Sequence, residues 1–251
     1  MKITFAKTHR WHKEVTPDPI NLFGKSEQAK LKGTLAKLQG NDITYSIDPL
    51  DESFFDWWLP LYQDRIISKS NPKLFDVREK TLGNPNKDKK YFSFTLFEAG
   101  ERLGGVVFSL SEDTLFFAYR TLAYDWKKAH LRASPSLLVE YLLSEHAKNA
   151  AMKYISHGID RNPYGVNSSI GLALFKLSTG CRPQMPKTYE IDTLETDELT
   201  TDALVLECPN VPAPYADITK AYLLADDAGI EKWKSLTKFP DILSTEFIRR
   251  G

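Results

Sequence analysis

The chain has 251 residues, and 33 Lys plus Arg balance 33 Asp plus Glu for a formal net charge of zero, so it lacks the basic excess that holds proteins on long nucleic acid. Hydrophobic residues make up 42% and aromatic residues 12%, with a mean hydropathy of -0.36. Those values fit a chain that buries a core, and they exclude disorder.

Residues 25–38 (KSEQAKLKGTLAKL) set Leu31, Leu35 and Leu38 on a helical stripe opposite lysines. ITYSI follows as a short strand. Asp51 and Ser53 then open the apolar helix FFDWWLPLYQDRIIS, where Pro60 predicts a kink or a change of helix. The stretch 69–90 is polar and basic and reads as loop with one helical turn. YFSFTLFE, LGGVVFSL and TLFFAYRTL are strands joined by tight turns, a three-stranded meander.

ASPS (133–136) opens a long helix over LLVEYLLSEHAKNAAM. KYISHGID is a strand, IGLALFKLSTG a helix stopped at Gly180, and KTYEID and TDALVLE are further strands. Residues 215–251 are expected to form two amphipathic helices broken near Gly229. The stretch 188–210 holds seven acidic groups and no Lys or Arg; it reads as a solvated face and counts against a nucleic-acid ligand. Helices, meander, helix, strand, helix and strand in that order predict a mixed α/β sheet rather than a doubly wound dinucleotide fold.

Cys181 and Cys208 are far apart with no C-x-x-C pairing, and the five histidines lack ligand spacing. Neither a closed zinc site nor a disulfide framework follows from them, and no metal is expected. MKITFAKTHR carries no signal peptide, and no apolar run reaches the ~20 residues that span a bilayer. The expectation is a cytoplasmic protein with no DNA or membrane partner and with homodimerisation left open.

The hairpin, a strand ending near Arg120, a polar connection, a helix starting at Ser134–Ser136 and a strand ending near Asp160 resemble the core of GNAT-superfamily N-acyltransferases. GLALFKLSTGCRP, after HGIDRNPYG, resembles the Phe-Lys-x-x-x-Gly region of the Fem-type, acyltransferase-6 branch. The resemblance covers roughly residues 45–210. It implies an α/β (α+β) fold: a mixed, mostly antiparallel sheet flanked by helices, in which the strand ending near Arg120 splays from the one ending near Asp160. The expected divisions are an N-terminal extension (1–50), the acyltransferase domain (51–210) and a C-terminal helical segment (211–251).

By the same resemblance the donor is acyl-CoA, such as acetyl-CoA, held by Tyr119, Arg120 and Leu122 on the strand and by Arg132, Ser134 and Ser136 at the helix start. Unpaired N–H groups in a first helical turn favour a pyrophosphate, and Arg120, Lys127, Lys128, His130 and Arg132 put positive charge just before it. Leu131–Ser136 (LRASPS) nevertheless stands where most GNAT enzymes have a glycine-rich loop, a departure that Fem-type relatives using aminoacyl-tRNA share. ASPS reads equally as an ordinary cap with proline at the first helical position.

The Phe-Lys match implies Lys176 as the group facing the reaction centre, where an ammonium stabilises a tetrahedral oxyanion. It is expected to face solvent at its helix end. His157 and Asp160 are alternative general bases, facing opposite ways if the strand is regular. Tyr164, in the following loop, is a candidate acid toward a leaving thiolate. The activity implied is acyl transfer to a primary amine of an amino sugar, a nucleotide sugar or a peptide. The alternatives are Fem-type transfer from aminoacyl-tRNA and a non-catalytic binding or assembly protein on the same scaffold.

Overall fold

The computed structural model describes residues 1–68, 74–123, 126–128, 130–166 and 168–250. In chain order the elements are β1 (Lys2–Ala6), β2 (Thr8–Glu14), α1 (Lys25–Leu35), β3 (Ile43–Pro49), α2 (Glu52–Ile67), β4 (Lys90–Glu98), β5 (Glu101–Ser111), β6 (Thr114–Leu122), α3 (Pro135–Asn149), β7 (Tyr154–Arg161) and α4 (Ile170–Ser178). They continue as β8 (Arg182–Gln184), β9 (Ile191–Glu195), β10 (Ala203–Leu206), β11 (Lys220–Ala225), α5 (Asp227–Trp233) and β12 (Ser244–Arg249). The chain folds into two compact units, one of Glu14–Ser156 and one of Met1–Lys13 with His157–Gly251.

The unit 14–156 is built on the sheet β3-β4-β5-β6 and the start of β7. The first three pairings are antiparallel, as the meander predicts; β6 to β7 is parallel, with α3 as the crossover. That parallel pairing is short, joining Thr114–Phe116 to Tyr154–Ser156, and β6 runs on to Leu122.

Successive residues of β5 point to opposite faces. Val106 packs with Phe94, Leu96, Leu138 and Leu142 under α1 and α3. Val107 packs with Phe54, Phe55, Trp58 and Tyr62 of α2. Asp51 caps α2 by accepting from Phe54 N at 3.0 Å. α2 continues past Pro60 as one helix. Losing one backbone hydrogen bond there is outweighed by burying four aromatic rings and by the Trp58 Nε1–H bond to Gly105 O at 3.0 Å. Of the basic loop 69–90, residues 69–73 lie outside the described residues, and the rest holds one helical turn at Glu79–Gly83.

The second unit carries three β arrangements: β1 paired with β9, β2 between the end of β7 and β8, and β10-β11-β12 with β12 parallel to β11. Here the structure corrects the sequence. Of residues 215–251, the described ones form two strands around a short α-helix and a 3-10 turn at Lys234–Lys238 rather than two amphipathic helices. AYLLA (221–225) is a continuous apolar run, and such a run fits a doubly buried strand as well as a helix. Gly229 lies inside the first turn of α5 rather than breaking it: its N–H donates to the Asp226 cap at 2.8 Å, and a Cβ there would stand 2.6 Å from the Asp202 carboxylate.

The mixed, mostly antiparallel architecture flanked by helices is the one expected. No helix among the described residues is long and apolar enough to cross a membrane.

Candidate functional site

α4 is capped by Ser169, whose side chain accepts from Leu172 N at 3.2 Å, and it stops at Gly180 with φ of 82°. Its buried positions are Ile170, Ala173, Lys176 and Leu177, one helical face. Lys176 therefore points inward and is only 5% exposed, which corrects the expectation of a solvent-facing lysine. Its ammonium donates to Asp160 Oδ2 at 2.7 Å and lies 5.8 Å from the Trp11 ring centroid. Asp160 sits near the end of β7, two residues past Gly158, whose φ of 76° interrupts the regular alternation between His157 and Asp160. His157 is half-buried on the same strand.

Tyr164, expected in an open loop, is fully buried, and its backbone bridges to Leu204. Its hydroxyl donates to Asp160 Oδ2 at 2.6 Å and accepts from Trp11 Nε1–H at 2.6 Å. His9 Nε2 lies 2.8 Å from the same oxygen. A phenol has one proton. With that proton donated toward Asp160, His9 must donate through Nε2–H, which leaves Nδ1 as the lone-pair nitrogen, buried and without a hydrogen bond among the described residues.

The electrostatics agree with that assignment. Burial drives His9 down to about 3, with Lys176 adding to the effect against the opposing Asp160 charge, so the ring is neutral. Burial also works to raise the Asp160 carboxyl, but the Lys176 charge and the hydrogen bonds from Lys176 and Tyr164 outweigh it and hold Asp160 below the usual carboxylate range. Tyr164 is pushed well above the ordinary phenol value by burial and by the neighbouring carboxylate. The group is thus a neutral imidazole, a neutral phenol, a carboxylate and an ammonium, closed around one ion pair.

Sequence reasoning missed His9 and Trp11, and also Lys13, whose buried ammonium donates to Thr179 O at 3.2 Å. All three alternate along one face of β2. The two-residue period is present in THRWHKE, but the inward positions hold His, Trp and Lys, so a hydrophobicity pattern does not register them.

The expected donor residues lie in the unit 14–156, and the structure gives most of them other partners. Tyr119 packs against Tyr62 and Phe75 with ring centroids 6.2 and 5.9 Å apart. Leu122 is buried in the core, and Arg120 stands 4.0 Å from the buried Glu140 carboxylate. Lys127 pairs with Glu101, and Lys128 donates to Asn41 O at 3.3 Å. Arg132 is exposed.

At the start of α3, Ser134 Oγ accepts from Leu137 N at 3.2 Å, Thr34 Oγ1 accepts from Ala133 N at 2.9 Å, and Pro135 has no N–H. Among the described residues the Ser134 and Ser136 amides are the ones left there to meet an anion, whereas a pyrophosphate cradle uses several.

No family model matches the chain, and no curated protein does. Among solved structures it is similar to FemX, with a TM-score of 0.52 at 10% identity over 70% of this chain and 59% of that one. The chain thus spans about three-fifths of the length of that protein. More distant similarities are to L-PGS from Bacillus licheniformis, with a TM-score of 0.41 at 14% identity over 63% of this chain and 46% of that one, and to the C-terminal domain of a putative lysylphosphatidylglycerol synthetase from Agrobacterium fabrum, with 0.41 at 12% over 70% and 53%. The likeness to FemX shows a shared fold.

Proposed function

We propose that this protein is a transferase that moves an acyl or aminoacyl group onto a primary amine. The observation that carries the reading is the buried Lys176–Asp160 ion pair, which Tyr164 anchors within a FemX-like fold. In the reaction the acceptor nitrogen attacks the carbonyl carbon and the C–N bond forms. The carbonyl electrons move onto oxygen, where the Lys176 ammonium stabilises them. Collapse of the intermediate breaks the C–S bond of a thioester or the C–O bond of an aminoacyl ester; the amine proton passes to a base, and the departing sulfur or ribose oxygen takes up that proton.

Asp160 is a weak base while two donors occupy the same oxygen, so its role in this reading is to aim Lys176. Tyr164 aims Asp160 in turn, and His157 takes the proton. The acceptor is an amino sugar, a nucleotide sugar or a peptide amine.

The capped start of α3, with its Ala133 and Leu137 amides already taken and proline at position 135, favours a second donor, aminoacyl-tRNA, over acyl-CoA. Thermal shift with CoA and acetyl-CoA, beside label transfer from aminoacyl-tRNA to an amine-bearing peptide, separates the two donors. Transfer from either donor, reduced ~10-fold or more in Lys176→Met at equal folded fraction, is the expected result. Absence of transfer from both donors would leave the binding or assembly reading; full activity of Lys176→Met would remove Lys176 from the mechanism.

A further inference from the structure

The second unit also contains an open cleft of about 610 Å³, lined by none of the Lys176 group and within the range of small-ligand sites. Its walls come from the start of β2, the end of β7 and the approach to β9. Lys7 N donates to Glu190 O at 2.9 Å and Asn162 N to Lys7 O at 2.9 Å, so the backbone on both sides is fixed. Phe5 and Tyr189 supply an aromatic lining.

Four charged side chains line the cleft: Lys7, Arg161, Glu190 and Asp192. Lys7 Nζ lies 3.1 Å from Glu190 and 3.8 Å from Asp192, so one ammonium serves two carboxylates. Arg161 has no ion-pair or hydrogen-bond partner among the described residues. The cleft therefore presents one carboxylate more than its lysine neutralises, together with one unopposed guanidinium. A molecule complementary to both carries an ammonium and a carboxylate. A guanidinium fork fits a carboxylate through two parallel N–H bonds, and the surplus carboxylate accepts from an ammonium.

We propose that this cleft binds a zwitterionic amino acid or short peptide, its carboxylate on Arg161 and its ammonium on Asp192 and Glu190, with an apolar side chain against Phe5 and Tyr189. The volume suits a dipeptide better than a single small amino acid. The inference is independent of the transferase reading, since none of the lining residues is Lys176, Asp160 or Tyr164 and the test reads binding alone.

The experiment is calorimetric titration of the full chain with the dipeptide Leu-Ala, with N-acetyl-Leu-Ala, with Leu-Ala amide and with inorganic phosphate. Leu-Ala is expected to bind, and each blocked form to bind ~10-fold more weakly, as losing one charge-assisted contact costs. Arg161→Gln should weaken Leu-Ala and the acetylated form and leave the amide unchanged, while Asp192→Asn should do the converse. Both side chains are exposed, and circular dichroism checks that each variant keeps its fold. No heat from Leu-Ala up to about 10 mM, unchanged affinity in Arg161→Gln, or phosphate binding as tightly as Leu-Ala would each overturn the proposal, the last by showing a plain anion site.

Discussion

At Lys176 the environment decides what a single side chain can do. A lysine at an exposed helix end can be truncated with little loss, but this one shares a buried oxygen with Tyr164. Lys176→Ala leaves the largely buried Asp160 carboxylate with the Tyr164 hydroxyl but no counter-charge, which costs about 3 kcal/mol. Lys176→Met with Asp160→Asn removes both charges at similar volume and should recover most of that loss in urea titrations; if it recovers none, the pair is not what anchors the site. His9 supplies a pH signature. Its folded value of about 3 lies below the ordinary 6.5, so the unfolded chain takes up a proton that the native state refuses. Stability conferred by neutral His9 is complete above pH ~6.5 and falls by about 1 kcal/mol per pH unit as pH drops toward 3. Asp160, also depressed, adds a loss in the same direction at the acid end. His9→Gln keeps a donor for Tyr164 and should flatten the slope between roughly pH 4 and 6; an unchanged slope would place the proton elsewhere.

Among the elements, α3 was the most legible, since ASPS spells a cap followed by proline and the structure has Ser134 as that cap. Ser134 and Ser136 are also the residues that the GNAT resemblance places at the donor, and the hydrogen bonds separate the two roles. Ser134→Ala should lower stability by about 1 kcal/mol, and donor KM should not change. A rise in KM with unchanged stability would restore Ser134 to the donor site. The meander was legible for a related reason: its strands alternate and its turns carry the residues that tight turns need. β2 and β11 were not. β2 hides its period behind polar inward residues, and β11 is apolar on both faces, so neither shows the pattern that sequence reading depends on.

Over the whole molecule, the second unit is closed by chain segments more than 140 positions apart. Residues 1–13 pair β1 with β9 and bring Trp11 onto Tyr164. Deleting 1–13 should abolish hydrogen-exchange protection at Leu204–Leu206 while β4 to β6 stay protected, because those strands pack within 14–156. Protection surviving at Leu204–Leu206 would show that the N-terminal segment is dispensable. The sequence by itself determined whatever depends on neighbours within one or two turns: the caps at Asp51 and Ser134, the meander, the stop at Gly180 and the Phe-Lys segment that pointed to Lys176. Only the tertiary structure decided that Lys176 is buried, that Tyr164 supports Asp160, and that His9 and Trp11 complete the group. Burial and ion pairing depend on which distant segments meet, and local propensity carries no information about that.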